Sequence, residues 1–299
     1  AKHNERNPDS AMIFMNYAAV DPALTNERCN FWHFRFDADI DMKMLALSGA
    51  IAADPSIEKV YLINQDYSFG HAVSKAAKTM LAEKRPDVQI VGDDLHPLGK
   101  VKDFAPYIAK IRATGADSVI TGGADLALLV KAAKDSGVDV DFYTYYAGLA
   151  GGPTAIGEAG IDRVKQVGQW HVNVGGAKSD AVVESYRGRY SENNDDLFFI
   201  TLKYGMELLA QSIDKAGSTD ALSVARELEQ GRYEAVTGEV WIRPDNHQLM
   251  QPLYVSTFKK TGEEGVRYEV ELTGTGPKTD FIVSAEDTTL PTTCNMDRP

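Results

Sequence analysis

Short apolar runs alternate with amphipathic stretches along the first half of the chain. Residues 59–63, Lys-Val-Tyr-Leu-Ile, form a β-rich apolar run that predicts a buried strand. Within 71–84 the apolar residues recur three and four positions apart, as on a helix with one buried face. The same alternation predicts further strands at 88–91, 117–121 and 142–146 and further helices at 103–113 and 126–135.

This alternation repeats at the length of a strand–helix unit. The strand starts at 59, 88, 117 and 141 are 29, 29 and 24 residues apart. Such a repeat predicts an α/β fold with parallel strands joined by right-handed helical crossovers that cover both faces of the sheet.

The rest of the chain follows a different pattern. Helices are expected one after another at 179–190, 197–216 and 219–230. Residues 39–171 therefore form one predicted α/β domain, and the segments on either side are too short to fold separately and are expected to join as a second. The remaining predictions are strands at 11–17, 236–242, 253–258 and 268–272 and irregular coil over the Thr-, Pro- and Gly-rich residues 273–299.

Composition narrows the class of protein. The 299 residues carry a net charge of −12, from 43 acidic and 31 basic side chains. Nucleic-acid binding is disfavoured, because phosphate contacts require clustered Lys and Arg. No apolar run approaches the roughly 20 residues of a membrane span.

The motifs typical of enzymes are incomplete. Ser68 follows a predicted strand and opens a helix, as a hydrolase nucleophile does, but Asp66 occupies the position of the first glycine of that motif. Gly122-Gly123 forms a strand-to-helix turn without the remaining residues of a phosphate loop or a dinucleotide fingerprint. Its plain interpretation is a tight turn where backbone amides approach a small ligand. The six histidines lack metal-site spacing, so no metal is predicted. Without a complete phosphate loop or dinucleotide fingerprint, no cofactor is predicted either.

Tyrosines lie at the ends of three predicted strands. Tyr17 ends the first, Tyr67 ends another, and Tyr145-Tyr146 end a third. Tyrosine is common on half-buried strands. Three strand ends at one crevice nevertheless favour a pocket that stacks on a ligand and hydrogen-bonds it.

Several segments, taken in order, resemble the branched-chain amino-acid-type periplasmic solute-binding proteins of ABC importers. They cover most of residues 11–260. The segments are 16–25 (Asn-Tyr-Ala-Ala-Val-Asp-Pro-Ala-Leu-Thr), 32–35 (Trp-His-Phe-Arg), 60–70 (Val-Tyr-Leu-Ile-Asn-Gln-Asp-Tyr-Ser-Phe-Gly), Asp103-Phe104 with Ile108 and Ile111, 115–117 (Gly-Ala-Asp) and Gly122-Gly123.

The resemblance implies a type I periplasmic binding protein fold of two Rossmann-like lobes with parallel sheets, joined by three crossover strands. Lobe one would comprise 1–38 and 172–250, and lobe two 39–171 and 251–299. Family members have a further strand–helix–strand region before the Ala18-Ala19 loop, so lobe one is expected to be incomplete at its N-terminus. The implied protein is a periplasmic, exported monomer without enzymatic activity or direct membrane insertion. It would close about a hinge on a small solute and deliver that solute to a membrane permease.

The resemblance also implies the ligand site. Amino-acid binders carry an acidic residue after the strand equivalent to 142–146, where it pairs with the ligand ammonium, whereas this chain has Ala147 there. Asp125 is the remaining candidate for that role. We therefore expect an aromatic or other carboxylate first and a branched-chain-type amino acid next. The predicted ligand-binding residues are Tyr17, Ala18, Ala19, Val20, Tyr67, Gly123, Ala124, Tyr146, Ala147 and Phe199.

Two alternative functions and a disulfide bond are also expected from the sequence. The alternatives are a ligand-sensing core of the same fold in a signalling or regulatory protein and, much less favoured, an α/β hydrolase. In an exported protein the two cysteines, Cys29 and Cys294, would form a disulfide that anchors the C-terminal tail. The alternative is two unrelated free thiols.

Overall fold

The structure is a computed structural model that describes residues 2–123, 125–190 and 198–299. Within these ranges the helices are α1 (Lys2–Arg6), α2 (Ile40–Ala53), α3 (Ser68–Lys84), α4 (Ala105–Thr114), α5 (Leu126–Asp135), α6 (Gly152–Ile156), α7 (Ala177–Arg189), α8 (Ile200–Ala216) and α9 (Ala221–Leu228). The strands are β1 (Phe14–Asn16), β2 (His33–Arg35), β3 (Lys59–Gln65), β4 (Gln89–His96), β5 (Ser118–Thr121), β6 (Asp141–Thr144), β7 (Val164–Gly168), β8 (Arg232–Ala235), β9 (Gly238–Ile242), β10 (Leu249–Met250), β11 (Leu253–Lys260) and β12 (Thr275–Val283).

The chain divides into two units by its internal contacts. Unit 1 comprises Ala1–Met42, Phe199–Pro252 and Val283–Pro299, and unit 2 comprises Lys43–Phe198 and Leu253–Ile282. Relative to the lobe boundaries expected from sequence, this division places 172–198 in unit 2 and 39–42, 251–252 and 283–299 in unit 1. The expected lobes themselves remain a prediction.

Unit 2 is built on a seven-stranded sheet in the order β12-β11-β7-β6-β5-β3-β4. Strands β4, β3, β5, β6 and β7 pair in parallel, whereas β11 runs antiparallel to β7. The mostly parallel arrangement confirms the predicted α/β class. Its inner strands are apolar because helices cover both faces of such a sheet.

The core of unit 2 follows from the periodicity of its helices. Helix α5 buries Leu126, Leu129, Val130 and Ala133, which recur at the three- and four-residue spacing of one helix face. These side chains pack in one apolar cluster with residues of β3, β5 and β6, among them Phe142. This packing fixes the strand ends at one edge of the sheet.

Unit 1 has smaller sheets. Strands β1 and β2 pair in parallel, with Asn16 opposite Arg35. Strands β8, β9 and β10 form an antiparallel three-stranded sheet. Helix α8 buries Tyr204 and Leu208 and ends at Gly217, whose positive φ of 58° is a left-handed conformation that favours glycine.

Two predictions for the C-terminal region are wrong. No strand forms at 268–272, where the backbone turns, and 273–299 is not all irregular because β12 occupies Thr275–Val283. Strand β12 lies at the edge of its sheet, where its Gly276-Pro277 pair is tolerated because an edge strand leaves one side unpaired.

The predicted disulfide is present in unit 1, with Cys29 and Cys294 joined at an S–S distance of 2.06 Å. Hydrogen bonds also hold the tail. The Thr292 hydroxyl donates to the carbonyl of Thr25 at 3.0 Å, and the Arg298 guanidinium donates to Glu229 at 2.8 Å. The bridge is therefore one of several contacts that order the C-terminus.

Candidate ligand-binding site

Three predicted site residues of unit 2 lie where parallel strands of its sheet end. Tyr67 follows β3, Gly123 follows β5 and Tyr146 follows β6. Strands β3, β5 and β6 are consecutive in the sheet, so their carboxyl ends share one edge. Ligands of open α/β sheets bind at this edge.

Phe69 connects the tyrosines at this edge. Its ring centroid lies 5.9 Å from that of Tyr67, 5.7 Å from that of Tyr145 and 6.0 Å from that of Tyr146. We call these four rings the aromatic cluster. Tyr145 is fully buried and supports the others, whereas Tyr67 is 41% exposed. Burial raises the pKa of the Tyr67 phenol, so the hydroxyl is protonated at neutral pH and can donate a hydrogen bond.

The two glycines after β5 are required by close approaches. A Cβ on Gly122 would lie 2.4 Å from the Phe69 ring. Gly123 has a φ of +97°, and a Cβ there would lie 2.6 Å from the Thr144 hydroxyl. The Gly122 amide donates to the Asn64 side chain at 2.8 Å. The tight turn predicted from sequence is present, and it lets the Phe69 ring pack directly against the backbone of Gly122.

A lysine lies against the aromatic cluster. The Lys43 ammonium is 3.1 Å from the Tyr146 hydroxyl and 4.5 Å from the centre of its ring. Lys43 belongs to α2 and is 1% exposed. The cation therefore presents its charge next to the tyrosine that directly precedes Ala147.

The acidic alternative from the sequence is engaged elsewhere. Asp125 lies 3.7 Å from His96 and accepts a hydrogen bond from the Gly99 amide at 3.4 Å. Ala147 is 2% exposed and packs in the apolar core, so its side chain does not face solvent. Ala124 lies outside the described residues.

Buried polar atoms that have no hydrogen-bond partner in the described part of the chain lie at the same edge. They are both side-chain amide atoms of Gln65, the last residue of β3, and the hydroxyl of Thr144, the last residue of β6. Unsatisfied buried polar groups are costly to a fold. These groups lie next to Tyr67 and Gly123, and their cost in stability indicates that this edge of the sheet serves ligand binding.

In unit 1 the predicted residues 17–20 form a loop organised by Asn16. The Asn16 side-chain oxygen accepts from the amides of Ala18 and Ala19 at 3.2 and 2.8 Å, and its amide nitrogen donates to the Ala19 carbonyl at 2.8 Å. Val20 is 7% exposed, so its side chain is part of the core. Asn16 also contacts the ring of His33 at 3.1 Å.

The two aromatic residues predicted in unit 1 meet. The Tyr17 and Phe199 rings contact edge to face with centroids 5.6 Å apart. Tyr17 is 45% exposed, so part of this residue remains accessible to solvent. Sequence reasoning found this pair, whereas Lys43, Phe69 and Thr144 gave no signal of their own.

The features expected of other protein classes are weak in the described part of the chain. Ser68 is exposed at the start of α3, and no histidine there hydrogen-bonds to it. No cluster of three or more His, Cys, Asp or Glu among the described residues could hold a metal ion. None of the described helices has the length and apolarity to cross a membrane.

Comparisons with known proteins agree with this architecture. The family model described as "Periplasmic binding protein" matches residues 9–263. The chain belongs to the periplasmic binding protein family. Leu/Ile/Val-binding protein homolog 4 of Brucella melitensis is 29% identical over 311 aligned positions that cover 100% of this chain and 72% of the relative.

Solved structures extend the comparison. The closed leucine-, isoleucine-, valine-, threonine- and alanine-binding protein of Brucella ovis superposes with a TM-score of 0.90 at 25% identity, over 100% of this chain and 77% of that one. A solute-binding protein of an ABC transporter from Rhodopseudomonas palustris, solved with 3,4-dihydroxybenzoic acid, has a TM-score of 0.76 at 16% identity, over 94% of this chain and 74% of that one. The second likeness concerns the fold alone.

Proposed function

We propose that this protein is the extracytoplasmic solute-binding component of an ABC importer, which captures a small organic carboxylate and delivers it to the permease. The observation that carries the proposal is the aromatic cluster at the carboxyl edge of the unit 2 sheet, with Lys43 beside Tyr146. The rings provide a stacking surface, and the tyrosine hydroxyls provide hydrogen bonds. Hinge closure on the solute, as the sequence resemblance implies, is part of the proposal.

The ligand class follows from the charges at that edge. An α-ammonium needs a carboxylate partner, since a buried cation without one costs several kcal/mol. Among the described residues, the charged group that lies next to Tyr146 is instead the Lys43 ammonium, 3.1 Å from the phenol oxygen. A carboxylate without an α-amino group, aromatic ones first, therefore suits the site better than an amino acid.

The relatives span both ligand classes. The Brucella ovis protein is described as binding leucine, isoleucine, valine, threonine and alanine. The Rhodopseudomonas palustris protein was solved with an aromatic acid. Branched-chain-type amino acids are accordingly the second ligand class that we propose.

A ligand-sensing core attached to a signalling partner is the alternative for the same fold. It would bind the same solute, but its output would be a change in a partner's activity rather than uptake. Deleting the gene and measuring uptake of the identified ligand separates the two functions. Loss of uptake supports the importer, and unchanged uptake supports the sensor.

A thermal-shift screen across amino acids, aromatic acids and amides tests the proposed ligand class. At about 100 times its Kd, a ligand of the folded protein should stabilise it by about 2.7 kcal/mol, seen as a raised Tm. We expect aromatic acids to give the largest shifts and branched-chain-type amino acids the next largest. A response to amides alone would contradict the carboxylate assignment.

The hydrolase alternative needs its own control. Wild-type protein and Ser68→Ala are assayed for turnover of simple esters. We expect no turnover by either. If the wild type hydrolyses esters and Ser68→Ala does not, the protein is a hydrolase and the binding-protein proposal is wrong.

A further inference from the structure

Unit 2 contains a cavity of about 160 Å³ that is separate from the aromatic cluster. All of its lining residues belong to unit 2, and Tyr67, Gly123 and Tyr146 are not among them. An engineered cavity of about 150 Å³ with an apolar lining binds benzene. The volume here is therefore that of a single six-membered ring.

The lining is aromatic on several sides. Trp170, Tyr186, Phe198 and Phe258 all line the cavity. Trp170 is 6% exposed and Phe258 is 2% exposed. The indole of Trp170 donates to the Ser179 hydroxyl at 2.8 Å, which fixes its ring. A lining with several aromatic rings favours a flat aromatic guest.

One buried side-chain atom in the lining has no hydrogen-bond partner among the described residues. Gln166, on β7, is 6% exposed, and its side-chain oxygen is buried and unpaired. The amide lies directly over Gly148, where a Cβ would come within 2.7 Å of that oxygen. Close packing against Gly148 holds the Gln166 amide in place. Its unpaired oxygen is therefore a fixed hydrogen-bond acceptor in the lining of the cavity.

Two other polar residues of the lining, His171 and Glu271, already have hydrogen-bond partners, and neither provides a positive charge. Burial lowers the pKa of His171 to about 3, and its ring contacts the Asn173 amide and the Thr279 hydroxyl at 3.2 and 2.8 Å. The Glu271 carboxylate accepts from the Gly151 amide and from both the amide and hydroxyl of Thr154. Among the described residues that line the cavity there is neither Lys nor Arg. An anionic ligand would therefore meet Glu271 without a compensating cation.

We propose that this cavity is a second binding site, for a neutral single-ring aromatic molecule that carries a hydroxyl, and that the Gln166 side chain hydrogen-bonds that hydroxyl. The site is distinct from the proposed carboxylate site, which presents a cation. The two adjoin through Phe198, which lines the cavity and whose ring lies 6.4 Å from that of Tyr146. The second site does not depend on the proposed transport function.

Phenol and benzene are the probes, because they differ only in the hydroxyl group. Binding is measured by calorimetry and by ligand-observed NMR to wild type, Gln166→Leu and Tyr67→Ala. We expect phenol to bind wild type with a stoichiometry of one. Gln166→Leu should lower the affinity for phenol by about tenfold, as expected for the loss of one hydrogen bond, while the affinity for benzene stays unchanged. Tyr67→Ala should leave phenol binding intact.

Three results would overturn the second site. They are no phenol binding to wild type, equal phenol affinity in Gln166→Leu, and loss of phenol binding in Tyr67→Ala, which would place phenol at the aromatic cluster. Retained benzene binding by Gln166→Leu shows that this variant folds with its cavity intact. If Gln166→Leu fails to fold, Gln166→Met retests the hydroxyl contact, and unchanged phenol affinity in that variant equally overturns the proposal.

Discussion

Unit 2 has a seven-stranded sheet whose inner strands are buried on both faces, whereas the described part of unit 1 has no sheet of more than three strands. The interior of unit 1 also contains a network of buried polar side chains. Arg35 is fully buried and donates to Gln248 at 2.5 Å, to the Asp21 carbonyl at 2.7 Å and to Asp39 at 2.8 Å. A small sheet buries less apolar surface, so unit 1 depends on buried polar contacts and a disulfide where unit 2 depends on packing.

Removal of the disulfide should have the largest effect, and only in unit 1. The bridge joins residues 265 positions apart, and the chain-entropy model gives a loss of about 5.6 kcal/mol for so long a loop. Hydrogen exchange of Cys29→Ser/Cys294→Ser should show faster exchange in unit 1 and unchanged protection of β3 and β5 in unit 2. Equal losses in both units would contradict the difference between them.

Arg35→Met should destabilise unit 1 by about 3–5 kcal/mol, because it leaves the buried Asp39 carboxylate without its cation. The matched control is Lys110→Met in unit 2, which removes an ion pair to Asp94 whose lysine is 57% exposed. We expect that variant to lose at most about 1 kcal/mol. Denaturant unfolding of both variants measures the two losses. Similar losses of stability in the two variants would show that the buried Arg35 contacts stabilise the protein no more than the exposed Lys110 ion pair does.

Acid should weaken the unit 1 loop at 17–20 through His33. Burial, with the nearby Arg35 cation, lowers the pKa of His33 to about 4 in the folded state, against 6.5 for an ordinary histidine. The unfolded chain therefore binds the proton first, so this stability is complete above pH 6.5 and declines as pH falls from 6.5 to 4. The loss amounts to roughly 3 kcal/mol at pH 4.

The pH dependence needs a variant to isolate it. Burial also lowers the pKa of His171 in unit 2, so wild type loses stability from both units over this range. His33→Gln keeps a side chain that can accept from Asn16, and its stability should fall less between pH 6.5 and 4. An unchanged slope in unfolding experiments would remove His33 from this role.

Tyr67→Ala should have the smallest effect on stability and a clear effect on binding. Tyr67 is 41% exposed, and its removal deletes a ring of the aromatic cluster and a hydroxyl. We expect affinity for the bound carboxylate to fall by about 1–3 kcal/mol. Tyr190→Ala, at a tyrosine that is 51% exposed at the end of α7, is the control. Equal affinities of the two variants in calorimetry would remove Tyr67 from the site.

Regular periodicity made most of unit 2 predictable from sequence. Helix α5 was predicted at 126–135 and lies at Leu126–Asp135, because its apolar stripe is clear. Helix α2 was missed, since apolar residues such as Met42, Met44 and Leu47 are buried around most of its circumference and leave no polar stripe. Strand β12 was missed because its Gly-Pro pair and polar residues resemble a turn.

The candidate site was predictable only in part, because contacts between distant segments have no local pattern. Tyrosines at strand ends could be found from strand prediction alone. Lys43 meets Tyr146 across 103 positions of sequence, and only the packing of α2 brings them together. Ala147 was interpreted from family position, and its side chain lies in the core because it follows a buried strand.

Binding of matched ligand pairs tests the central claim most directly. Calorimetry compares 4-methylpentanoate with leucine and 3-phenylpropanoate with phenylalanine, so that each pair differs only in the α-ammonium. We expect the acid of each pair to bind at least about a hundredfold more tightly, since an unpaired buried ammonium costs several kcal/mol. Tighter binding of both amino acids would contradict the carboxylate assignment and place an acidic partner for the ammonium in the site.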